Sequence, residues 1–258
     1  MSQNKNITSV IKYLFSDINN IIKNNPFQFI NLVATHSLLL LLFTILNNWI
    51  VENIDFYSPI LGIITLRIAI SMIITGLWIG FFKIIFQFIN KNNFSIKPLL
   101  SSFHLLPKVI TIQSFYYIAM CPILILFINR YPYDIKEFGT DISSYFLSII
   151  KDFESFNIIN NTSELLLIIF FLILPITYML KFWSAEFLII EEEISIINAM
   201  KKSYMINIRL LELISISVIL FILNLISIIF GYFIFVIILT YSYLVILKYL
   251  KVIQKINH

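Results

Sequence analysis

Ionisable side chains are scarce in this chain, so each cluster of them invites a chemical reading. The densest is Glu191, Glu192 and Glu193, followed closely by Ala199, Lys201, Lys202 and Ser203. Paired lysines can meet an anionic lipid head group at about 1 kcal/mol each. Arg67 stands alone inside an apolar stretch, where a charge costs roughly 2.5–3.5 kcal/mol on insertion scales. It can contact an anion or a lipid phosphate, pair with Glu52 or Asp55, or snorkel to the interface. No catalytic set accompanies these groups. His36, His104 and His258 lie far apart, Cys121 is the single cysteine, and neither HExxH nor a phosphate-binding glycine loop is present. The expectation is therefore no catalytic residue, no metal and no cofactor. His36 reads as a hydrogen-bonded core histidine and Cys121 as a small apolar filler.

The elements that carry these residues follow from composition. Of 258 residues, 59% are hydrophobic and 12% charged, and the mean hydropathy is +0.92. That leaves too little polar surface for a water-soluble domain and excludes disorder. One cysteine excludes a disulfide scaffold. Isoleucine accounts for 57 residues, which we read as genomic base composition rather than chemistry. An integral membrane protein remains, all-α and polytopic.

A crossing helix needs roughly 20 mainly apolar residues. Six stretches qualify: about 27–51, 60–89, 108–129, 164–181, 208–229 and 232–250. The last two are joined through Gly231 by a tight turn, or else form one long bent segment and leave five crossings. In the six-span arrangement 14 Lys and Arg fall on one side and 3 on the other, with Arg67 inside a span. This positive-inside bias favours six spans with both termini cytoplasmic. The whole chain, 1–258, is expected to be one membrane domain: a cytoplasmic amphipathic segment over 1–26, six helices over 27–250 and a tail over 251–258. Ile7–Ile22 has helical apolar spacing and fits an interfacial helix, or one packed on the protein's own loops. The outer loop 130–163 is acidic, with a possible surface helix over 142–156 and a sequon at Asn161. Pro175 predicts a kink in the fourth span.

Within the second span Gly76 and Gly80 form a GxxxG pattern that lets a neighbouring helix approach closely. Ala199 and Ser203 repeat the small-residue spacing after the fourth span. Read as a continuous helix, that region puts Ile190, Ile194, Ile197, Met200 and Tyr204 on one stripe. The three glutamates then sit where a new helix starts and complement its dipole.

This last stretch resembles a signature of poorly characterised bacterial membrane proteins. The matching residues are Glu191 or Glu193, Ala199, Lys201 and Ser203. The group comprises the DUF975 proteins, the YciC-like (UPF0259) proteins and the membrane domain attached to some glycerophosphodiester phosphodiesterases. Over about residues 20–250 the resemblance implies six helices without an assigned reaction. Where that group often has a glycine after the serine, this chain has Met205, Ile206 and Asn207.

Three functions are open at this level. The first is a non-enzymatic protein that binds membrane lipids, a protein partner or its own copies, through Arg67, Glu191, Glu193, Lys201 and Lys202. The second is a small permease, suggested by Arg67, Pro175 and polar residues such as Asn47, Asn48, Thr177 and Asn224. The third is an intramembrane lipid-modifying enzyme, for which Lys181 and Glu186 are the nearest pair and read better as an interfacial anchor. Nucleic acid is not an expected partner, because the basic residues flank apolar spans.

Overall fold

The computed structural model describes residues 7–53, 60–91, 94–130, 173, 177–178, 180–206 and 210–257. Helices account for all regular structure among them. In chain order these are α1 (Ile7–Asn24), α2 (Pro26–Asn53), α3 (Ile60–Lys91), α4 (Pro98–Ser101), a 3-10 turn (Ser102–Leu105), α5 (Leu106–Arg130), α6 (Ala185–Glu192), α7 (Ile196–Met205), α8 (Leu210–Ile229) and α9 (Tyr232–Asn257). Four of them are long and apolar enough to cross a membrane, with windows at Pro26–Trp49, Thr65–Asn90, Leu211–Ile229 and Tyr232–Gln254. The third expected span is helical over Leu106–Arg130. Most of the fourth, its Pro175, the outer loop with the 142–156 segment and the Asn161 sequon lie outside the described residues.

The chain divides into two compact units, Thr111–Trp183 and the remainder. In the first, Tyr178 donates from its hydroxyl to the Ile112 carbonyl at 3.3 Å, and its ring lies 5.0 Å from Phe182. Everything below concerns the other unit, Met1–Ile110 with Ser184–His258.

α8 and α9 are separate helices. Gly231 between them has φ +99° with open space around it, a left-handed conformation that side-chain-bearing residues adopt at a cost. The two helices then run back along each other, and Asn224 donates to Ser242 at 2.9 Å. The single bent segment is thereby excluded.

α3 has 32 residues, about 48 Å of helix against a hydrocarbon core of about 30 Å. Its two ends live in different surroundings. Leu66, Ile68, Met72 and Ile73 are exposed, whereas Phe81, Ile84, Ile85 and Phe88 are completely buried. A helix apolar all round must be enclosed, by lipid or by protein, and here protein encloses the last third. The enclosing residues include Leu105, Val109, Leu188, Ile189 and Leu247, which are also fully buried. α1 joins this core instead of lying free. Its Leu14 and Ile18 are buried, Asp17 pairs with Lys248 at 2.7 Å, and Asn19 accepts from the Tyr241 hydroxyl at 3.1 Å. The Ile7–Ile22 face packs on the helices α2, α8 and α9, not on the loops that are one of the two expectations for it.

Candidate functional site

The three glutamates do not start a helix; they end one. Glu191 and Glu192 form the last turn of α6, and Glu193 caps it in the left-handed conformation at φ 57°. The chain then restarts at Ser195, which accepts from the Asn198 backbone N–H as the N-cap of α7. The continuous stripe expected from Ile190 to Tyr204 is thus broken at a corner. Carboxylates at a helix C-terminus oppose the dipole and crowd one another, so the arrangement needs cations. Long-range folding brings them in.

Lys83 of α3 binds the Glu193 carboxylate, and His104 of the 3-10 turn lies 3.4 Å from its other oxygen. The Nδ1–H of His104 is spent on the Ser101 carbonyl at 2.7 Å. Lys108 donates to the carbonyls of Glu193 at 3.1 Å and Ile194 at 3.3 Å, covering acceptors that a helix end leaves unpaired. Lys251 of α9 binds Glu191 at 2.5 Å and also Asn90. Asn90 in turn donates to Glu191 at 3.4 Å. Lys202 binds Glu192 within the corner itself. Six basic or amide side chains from five elements therefore converge on three consecutive acids.

The Lys83 ammonium bound to Glu193 holds its carboxyl below the usual carboxylate range; burial opposes this and His104 adds to it. A folded-state value below the unfolded one gives stability that is present above pH 4.5 and is lost as the pH falls through the folded value. Glu193 is nearly half exposed, so screening limits the contribution to about 1 kcal/mol or less. We expect the melting temperature to fall between pH 5 and pH 3, and Glu193→Gln to flatten that slope; an unchanged slope refutes the assignment.

Gly76 and Gly80 are packing residues, but their partner is not a crossing helix. A Cβ on Gly80 would lie 2.5 Å from the Leu99 Cα and 2.6 Å from the Pro98 carbonyl oxygen. A Cβ on Gly76 would lie 2.4 Å from the Phe103 ring. The segment from Pro98 to Leu105 thus lies against α3, with its backbone at Pro98 and Leu99 and with the Phe103 ring at Gly76. Ala199 and Ser203 form the buried face of α7, and the Ser203 and Ser184 hydroxyls meet at 2.8 Å, tying α7 to the start of α6. Arg67 is exposed on the first turns of α3, far along the helix from the charged corner. Asp55 and the Glu52 side chain lie outside what is described. Lys201 is exposed on α7.

Sequence reasoning singled out Glu191, Glu193 and Lys202 but missed Lys83, Asn90, His104, Lys108 and Lys251 as their partners. Nothing local signals these pairings, which span up to 110 residues on the N-terminal side. Among the described residues no group of three His, Cys, Asp or Glu is arranged to hold a metal ion. The carboxylates of the corner are occupied by ammonium groups. The ion pairs tie the end of α6 to α3, α7 and α9.

No family model, curated protein or solved structure matches this chain.

Proposed function

We propose that this is a six-span bacterial inner-membrane protein with cytoplasmic termini that holds anionic lipid, or a partner presented at the lipid surface, through α7. The chain acts as one membrane domain and catalyses no reaction in this reading. The resemblance to the DUF975 and YciC-like group is part of the same proposal. The observation that carries it is the division of α7 into two faces. Ala199 and Ser203 are buried inward, while Ile197, Tyr204 and Met205 are exposed, with exposed Lys201 between them at helical spacing. Apolar and aromatic side chains around a single cation suit a helix at the head-group boundary, where the lysine stem follows the acyl region and its ammonium meets phosphate.

Lys202 is committed to Glu192, so Lys201 is the position to change. Native mass spectrometry from mild detergent should find anionic phospholipid retained by the unmodified chain. Lys201→Glu should reduce that retention about fivefold or more, the equivalent of about 1 kcal/mol for one basic residue. Equal retention by both, or none by either, refutes the reading.

A permease is the second reading. One observation favours it: His36, Thr240, Ser242 and Ser227 are buried within the apolar helices, where polar groups are expensive. Solute flux into vesicles containing the purified protein distinguishes it.

A further inference from the structure

His36 lies in α2 and is completely buried. Its Nδ1 is 2.7 Å from the Thr240 hydroxyl oxygen of α9. That hydroxyl has one hydrogen, and it is donated to the Val236 carbonyl at 2.7 Å. Thr240 therefore accepts from His36, which places the imidazole hydrogen on Nδ1 and leaves Nε2 as a bare lone pair. Nε2 is buried and has no hydrogen-bond partner among the described residues, an arrangement that ordinarily costs free energy.

Three aromatic rings surround the imidazole. Phe81 lies 4.7 Å away, tilted by 32°; Trp78 lies 5.4 Å away at an interplanar angle of 75°; Tyr243 lies at 5.6 Å. The groups facing the imidazole are thus Trp78 and Phe81 from α3 and Thr240 and Tyr243 from α9, and Tyr243 is the one titratable side chain among them. Nε2 has essentially no accessible surface, so an alcohol, an amine or a metal ion has to displace side chains to reach it. A proton needs no space. Aromatic faces also favour a positive charge held against them.

We propose that His36 is a proton-binding site at the junction of α2, α3 and α9. The proton adds at Nε2, Thr240 keeps the Nδ1–H, and the resulting imidazolium rests against Phe81 and Trp78. This site is independent of the lipid reading, because it involves neither α7 nor the charged corner.

Trp78 supplies the test, since an adjacent imidazolium quenches indole emission by accepting an electron from its excited state, and neutral imidazole does so far less. The full chain in nanodiscs, with Trp49→Phe and Trp183→Phe, leaves Trp78 as the fluorophore. Acidification should remove its emission along a one-proton curve spanning about two pH units, and His36→Gln should abolish that loss. A flat response, or the same loss in His36→Gln, overturns the proposal. If His36→Gln does not fold, nitrogen-15 NMR of the unsubstituted chain decides. The expected result is hydrogen on Nδ1 alone at neutral pH and on both nitrogens in acid. A ring with its hydrogen on Nε2, or one that stays neutral while the fold persists in acid, overturns it equally.

Discussion

Replacing Gly80 with valine should destabilise the protein by about 3 kcal/mol or more, at the upper end of overpacking costs. A Cβ there would press on the Leu99 Cα and the Pro98 carbonyl, at 2.5 and 2.6 Å. Both are backbone atoms, so no rotamer change relieves the collision, and the Pro98–Leu105 segment must leave α3. Phe103 and Leu105 would then lose their packing, and His104 would be drawn off Glu193. Gly76→Ala provides the contrast. Its added carbon meets first the ring of Phe103, which a smaller side chain can clear. Gly76→Ala with Phe103→Leu should thus recover much of what Gly76→Ala loses, while no side-chain change should rescue Gly80→Val. Thermal unfolding in detergent, with limited proteolysis of residues 94–105, measures both. A Gly80→Val protein that melts like the original would show that the segment is not seated on α3.

The second large effect concerns Lys251 and Glu191. Their side chains are only 19% and 15% exposed, and one Glu191 oxygen is already buried without a partner among the described residues. Lys251→Met should leave that carboxylate with Asn90 alone, at a cost of about 3 kcal/mol, near the lower end for breaking a buried pair. Lys251→Met combined with Glu191→Met should be far milder than the single change, because a matched apolar pair carries no stranded charge. The double-mutant cycle therefore predicts strong non-additivity. Simple addition of the two single effects would mean that the pair is solvated and of little consequence.

The sequence made some of this legible and concealed the rest for a physical reason. Apolar runs of sufficient length report helices directly, so α2, α3, α8 and α9 were readable, as was the break at Gly231. The GxxxG pattern announced a close approach at Gly76 and Gly80, but not what approached. Small-residue spacing records a vacancy on a helix, and a short segment of Pro98 to Leu105 with no long period fills it as readily as a crossing helix. The glutamates misled for a related reason. An acidic run suits a helix start by local rules, and only the ammonium groups of Lys83, Lys202 and Lys251 make it tolerable at a helix end. Two of those cations come from remote helices, and distance along the chain hides them. The orientation of α7 was hidden likewise, because its apolar stripe and its small-residue stripe are both plausible inward faces until Ser203 is seen to meet Ser184.

The charged corner also imposes an order on synthesis. Domains form from the N-terminal side as the chain is made, so Lys83 and Asn90 are in place long before Glu191 and Glu193 arrive. Lys251 follows another 60 residues later. Until α9 is inserted, Glu191 has no lysine from that helix, and the earlier helices remain free to adjust against one another. Lys251 is the last of the corner's observed partners to be made, so a chain halted before it leaves Glu191 without its lysine.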